Sequence, residues 1–210
     1  MKRKISNTCI AVLKHRGKLY FGADRRASWG FDQAQSMPRP KVVKRSGVIL
    51  AGTGDGALCG LIVDIMDIPE VYKDSDMYMN HDFYYAVRKI LLQKGFADEH
   101  KLLKIPGDMS AQIVVGVNHR CYIVDIQNMD SSKDSTIGSI TIDEVNLPYG
   151  TGCGGQWAWG VIDCLQDLLE DKINYIFPLG YSPKSILLKA LQTAAKYSPG
   201  CDGIFDIVSE

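Results

Sequence analysis

The chain has 210 residues, enough for one domain with a full core. Lys plus Arg and Asp plus Glu both number 24, and this neutral balance argues against nucleic acid or a membrane surface as the main partner. Hydrophobic content of 46% is ordinary for a globular protein, and no apolar run approaches the roughly 18 residues of a membrane span.

The basic start MKRKISN is followed by no apolar h-region, so it does not read as a secretory signal. Residues 1–7 are a short polar extension, either a propeptide or a solvated tail. Cys9 to Leu13 is an apolar run of strand length, His15-Arg16-Gly17 is a turn, and Leu19 to Ala23 is the return strand of a hairpin. Crossing back brings Asp24 to the start of the hairpin, where Thr8 lies. A threonine hydroxyl is a poor nucleophile without an adjacent base. Cleavage between Asn7 and Thr8 would supply one, since a free α-amine has a pKa of roughly 7.7–8.0. Taken alone, the same residues equally describe a β-branched strand residue and a turn carboxylate.

Residues 29–40 carry Pro and Gly with little periodicity and read as a loop. Lys41 to Lys44 begins a strand and Val48 to Ala51 returns. Alternation puts Lys41 and Lys44 on opposite faces, so only one can point inward. Gly52-Thr53-Gly54-Asp55-Gly56 is glycine-rich between a strand and a helix, but it lacks the Lys-Ser/Thr of a phosphate loop. A helix is expected over Ala57 to Met66, ended by Pro69, and a second through Phe83 to Leu91, closed near Gly95. Ile113 to Val115 and Cys121 to Val124 are strands around an Asn118-His119-Arg120 turn, and 127–139 is a polar loop. Tyr149 to Gly155 is a second glycine-rich turn leading to a helix over Ala158 to Leu169, with Trp157, Val161, Leu165 and Leu168 on one face. Ser182-Pro183 opens a helix to about Tyr197, and Gly203 to Val208 is a closing strand. The histidines have no partners at metal or triad spacing. The six cysteines form no CxxC pair and no metal spacing, and they read as reduced thiols of a cytosolic protein. Periodicity by itself supports an α+β class.

The order Thr8, Gly22-Ala23-Asp24-Arg25-Arg26-Ala27-Ser28, Lys41, then Ala51-Gly52-Thr53-Gly54 resembles the proteasome-type β subunits, the family of 20S proteasome β chains and bacterial HslV. The resemblance covers nearly the whole chain, dense in the first sixty residues and thin in the middle. It implies one proteasome-like domain over 8–210 and a four-layer αββα sandwich of the Ntn hydrolase type. It implies an N-terminal-threonine endopeptidase with no cofactor. By the resemblance Thr8 would be the nucleophile, Lys41 would lower the pKa of its hydroxyl beside Asp24, and the Gly52 N–H would hold the oxyanion. Cys153 stands where the family has a supporting Ser, and a thiol is the weaker hydrogen-bond partner. A rival reading makes Cys153 itself a nucleophile at a helix N-terminus. Leu50 aligns with the floor of the specificity pocket and Gly54 with its wall. Ala27 and Ser28 add small surface, and the loop carrying Asp32 and Arg39 borders it. The family has Gly where Asn7 stands, and the Asp it often places after the last long helix is absent from Lys196 to Cys201, with Asp202 too late. The resemblance further implies self-association into a cytoplasmic ring with inward-facing sites, unfolded polypeptides as substrates and an ATP-dependent unfoldase as partner. Two alternatives stand beside it: a non-catalytic ring or scaffold subunit that keeps residues 1–7, and an Ntn amidase acting on small amides.

Overall fold

The computed structural model describes residues 8–29, 33–96, 100, 102–107, 109–128, 138–169, 181–201 and 203–210. The expectations for residues 1–7, Asp32 and Asp202 lie outside them. In chain order the elements are β1 (Cys9–His15), β2 (Lys18–Asp24), β3 (Arg26–Trp29), β4 (Gln33–Ser36), β5 (Val42–Arg45), β6 (Val48–Gly54), α1 (Gly56–Gly60), α2 (Ser75–Met77) and α3 (Tyr84–Gln93). There follow β7 (Ala111–Val117), β8 (Arg120–Asn128), β9 (Gly138–Glu144), β10 (Tyr149–Gly152), α4 (Gly155–Leu165), α5 (Pro183–Tyr197) and β11 (Phe205–Ser209). Wider π-type turns continue α1 over Leu61–Ile65 and join α2 to α3 over Tyr78–Phe83. The chain divides into two compact units, residues 1–42 with 146–210, and residues 43–145. No helix among the described residues is long and apolar enough to cross a membrane.

The first unit holds an antiparallel sheet in the order β10-β1-β2-β11. The β1–β2 turn puts Arg16 at φ 49° and Gly17 at φ 79°. Two consecutive left-handed residues give the two-residue turn whose twist matches a hairpin, and the register follows from it, with His15 opposite Lys18 and Ile10 opposite Ala23. On one face Cys9, Ala11 and Leu13 pack with Ala158 and Ile162 of α4 and with Ile186, Leu187, Ala190, Leu191 and Ala194 of α5. The alternate residues Ile10 and Val12 are also buried, which is why β1 reads as a continuous apolar run. Helix α5 begins with a capping box, since Ser185 N–H donates to the Ser182 hydroxyl and Ser182 N–H to the Ser185 hydroxyl.

One expectation needs correction here. The stretch 29–40 is not simply a loop, because Gln33–Ser36 is a strand paired with β3, Arg26 opposite Ser36 and Ala27 opposite Gln35. Gln-Ala-Gln-Ser has no apolar alternation, so the pairing is carried by backbone hydrogen bonds that hydropathy does not register. The buried face of α4 is Gly155, Ala158 and Ile162, whereas Trp157 is 48% exposed. Small residues let α4 approach the sheet, and Val161 and Leu165 are partly buried against the same core.

The second unit is an antiparallel sheet in the order β5-β6-β7-β8-β9. Val48 and Leu50 of β6, Ile113, Val115 and Val117 of β7, and Tyr122, Val124 and Ile126 of β8 pack with Leu58, Ile62, Phe83, Val87 and Leu91 from its helices. Its hairpins repeat the same turn geometry, with Ser46 and Gly47 at φ 47° and 82° and Asn118 and His119 at φ 47° and 64°. The glycine-rich stretch after β6 is a helix start. The Asp55 carboxylate accepts from Ala57 N–H at 2.9 Å and Leu58 N–H at 3.3 Å.

Candidate active site

Thr8 leads into β1 and is 6% exposed. Asp24 ends β2 and is fully buried. Lys41 precedes β5, and its side chain is 14% exposed. The hairpin brings Asp24 beside the start of β1, where Cys9 N–H donates to Asp24 Oδ1 at 2.9 Å. The Lys41 ammonium lies between the other two side chains, donating to Thr8 Oγ1 at 2.9 Å and to Asp24 Oδ1 at 3.0 Å. Arg26 N–H adds a donor to Asp24 Oδ2 at 3.3 Å. Lys44 sits on β5 with its side chain exposed, so Lys41 is the lysine that reaches Thr8.

Burial raises the Asp24 carboxyl above the usual carboxylate range, against the Lys41 charge and the Cys9 and Arg26 N–H groups, which pull it down. An ammonium hydrogen-bonded to a threonine oxygen favours negative charge on that oxygen, and the carboxylate behind it favours the charged lysine. This trio can lower the cost of forming an alkoxide at Thr8.

The backbone of Thr8 is held from β10 and the start of α4. Its carbonyl accepts from Gly154 N–H at 3.4 Å and from the Cys153 thiol at 3.5 Å. Gly152, at φ +81°, lies so close that a Cβ there would meet the Thr8 carbonyl oxygen at 2.1 Å. Only glycine suits both the dihedral and the approach. Cys153 Sγ is also 3.8 Å from Cys201 Sγ. That shared contact and burial push the Cys153 thiol above the ordinary thiol range. In this arrangement Cys153 is a donor to the Thr8 carbonyl.

The first unit thus brings Thr8, Asp24, Lys41 and Cys153 together. Ala27 is half-buried on β3, with Ser28 next along the same strand opposite Ala34. Gly52, Leu50 and Gly54 lie on β6 of the second unit. Gly52 pairs with Ile113, and a Cβ on it would meet Cys59 at 3.0 Å. Leu50 is fully buried in that unit's core. Gly54 is at φ +109°, and a Cβ there would meet the Ser110 carbonyl at 2.4 Å, so its glycine answers a local backbone demand.

Several neighbours escaped the sequence reading. Arg25 forms a two-pronged pair with Asp206 of β11, at 2.8 and 2.6 Å, and donates to the Pro38 carbonyl at 3.1 Å. Arg26 donates to the Cys201 carbonyl at 3.4 Å. Asp206 lies on a strand that pairs with β2, opposite Ala23. An acidic residue inside the last apolar strand was the available signal. Cys201 carried none, being 48 positions from Cys153. Among the described residues no group of three or more His, Cys, Asp or Glu side chains is arranged to hold a metal ion.

No protein-family model and no curated protein matches the chain. Solved structures do match in fold. Eukaryotic HslV from Trypanosoma brucei is 13% identical, with 96% of this chain and 98% of that one covered at a TM-score of 0.57. BPH from Thiobacillus denitrificans is 12% identical, with 96% and 97% covered at 0.65, and is also solved in complex with epoxomicin. Anbu, the ancestral beta-subunit, from Yersinia bercovieri is 12% identical, with 97% and 81% covered at 0.57. The chain shares the fold of these proteins over nearly its whole length, so the proteasome-type resemblance of its motifs is matched by a resemblance of structure.

Proposed function

We propose that the chain is a threonine peptidase of proteasome type, with Thr8 as nucleophile once residues 1–7 are removed. The observation that carries this reading is the Lys41 ammonium shared between Thr8 Oγ1 at 2.9 Å and the buried Asp24 carboxyl at 3.0 Å. In the cleaved chain the Thr8 amine, through a water, takes the hydroxyl proton. Oγ1 then attacks the scissile carbonyl, and the Gly52 N–H donates to the oxyanion. The amine returns its proton to the leaving nitrogen, and water hydrolyses the ester.

The four-layer αββα sandwich, the closed ring of identical subunits, the unfolded polypeptide substrates, the ATP-dependent unfoldase partner and the cytoplasmic location are parts of the same proposal. So is a preference for apolar residues before the cut bond, since a basic side chain would lose hydration without a partner. Cleavage of an unfolded protein substrate tests the core of the reading. Turnover by the wild type and none by Thr8→Ala is the expected result, and equal turnover by both refutes it. Epoxomicin, which a BPH structure carries, is a first binding probe for the same pair. A fluorogenic tetrapeptide panel reads this preference, with cleavage after Leu or Tyr expected to exceed cleavage after Arg or Glu.

A further inference from the structure

The described cysteines are all free thiols, and two of them meet beside Thr8. Cys153 Sγ and Cys201 Sγ are 3.8 Å apart. A disulfide needs roughly 2.05 Å between sulfurs, so about 1.8 Å of closure separates contact from bond. The two thiols are not equally placed. Cys153 is only partly buried, whereas Cys201 is 5% exposed and Cys9 is fully buried. One thiol can meet a small molecule and the other can only meet its neighbour.

We propose that Cys153 and Cys201 form a thiol–disulfide modification site, in which Cys153 takes up a low-molecular-weight disulfide and Cys201 resolves it. The Cys153 thiolate attacks one sulfur of the small disulfide. That S–S bond breaks, and the first small thiol leaves with the proton that Cys153 gave up. The Cys201 thiolate then attacks Cys153 Sγ, forms the intramolecular S–S bond and expels the second small thiol. The two cysteines are oxidised with loss of two hydrogens, and the small disulfide is reduced to two thiols. The contact with Cys201 and burial hold the Cys153 thiol up, whereas Cys153 pulls the Cys201 thiol down and Cys9 and burial together still hold it up, to about 12. The groups around them are Cys9 of β1, Ser198 beyond α5 and the Arg26 guanidinium on the Cys201 carbonyl. Uptake is therefore slow at neutral pH and speeds up as pH rises.

The Cys153 S–H is also a donor to the Thr8 carbonyl. Oxidation removes that donor and ties the Gly152–Gly154 turn, which touches Thr8, to Cys201. On the reading of Thr8 as nucleophile, the oxidised form turns over at least tenfold more slowly.

The full chain carrying Cys164→Ser, which removes an exposed thiol, is treated with excess oxidised glutathione and mapped by mass spectrometry. The expected result is a loss of two hydrogens, with the Cys153 and Cys201 peptides joined and dithiothreitol restoring them. Adding Cys201→Ser should instead leave a stable glutathione adduct on Cys153. Alkylation of both thiols after oxidation, or Cys9 in place of Cys153 in the bridge, overturns the proposal. The mapping requires no turnover, so it decides the site even where the peptidase reading fails. A bridge that forms without slowing an active sample overturns the coupling to Thr8.

Discussion

Lys41 places one ammonium between a hydroxyl and a buried carboxyl, so its removal acts twice. It takes the positive charge from Thr8, and it leaves Asp24 buried without its charge partner. Lys41→Ala is expected to cost about 3 kcal/mol or more in stability, as for other broken buried pairs, and to lose about three orders of magnitude or more in turnover. Lys44→Ala, at an exposed strand position, should stay near wild type in both. Denaturant titration and initial rates check the pair together, and an inactive Lys44→Ala beside an active Lys41→Ala would reverse the assignment. Asp24 adds a pH signature. Burial raises its carboxyl in the folded state above the unfolded value, so its contribution to stability is fully present below the ordinary carboxylate pKa of about 3.9 and is lost as pH rises through the folded value. The stability of wild type minus that of Asp24→Asn should therefore fall as pH rises out of the acid range. Urea midpoints taken across that range test the sign, and a difference that grows with pH contradicts it.

At the scale of elements, the hairpin β1–β2 and the turn after β10 carry the site, and they differ in how far the sequence revealed them. The hairpin was legible because an apolar run, a glycine turn and a second run fix both register and partner. Asp24 beside Thr8 followed from that register alone. The pairing of β3 with β4 was not legible, because backbone bonds between polar residues leave no hydropathy pattern. The inward face of α4 was not legible either, because Gly155 and Ala158 pack through their smallness, while Trp157 stands outward. Cys201 meets Cys153 through folding of distant segments, which local pattern does not record. Gly152 gives the sharpest test at this scale. A Cβ 2.1 Å from the Thr8 carbonyl cannot be accommodated without moving backbone, so Gly152→Ala should lose turnover and cost about 2 kcal/mol or more. Leu50→Ala, in a fully buried core position, should cost about 2–5 kcal/mol in stability. Thermal or urea unfolding measures both, and a Gly152→Ala protein of wild-type stability and rate would show that the close approach to Thr8 is relaxed in solution.

For the whole molecule, the proposed mechanism requires that the chain not act as it is synthesised. Thr8 has a free α-amine only after the bond to Asn7 is cut, and every catalytic step assigned to that amine depends on the cut. A closed ring is expected as well, and a monomer at micromolar concentration by light scattering would count against the ring in both its catalytic and its scaffold form. Thr8→Ala should assemble like wild type while losing cleavage. The most direct measurement is the intact mass of a purified sample whose peptidase activity has been recorded. Active protein is predicted to have lost residues 1–7 and to begin at Thr8. An active sample that still carries Met1 would contradict the mechanism.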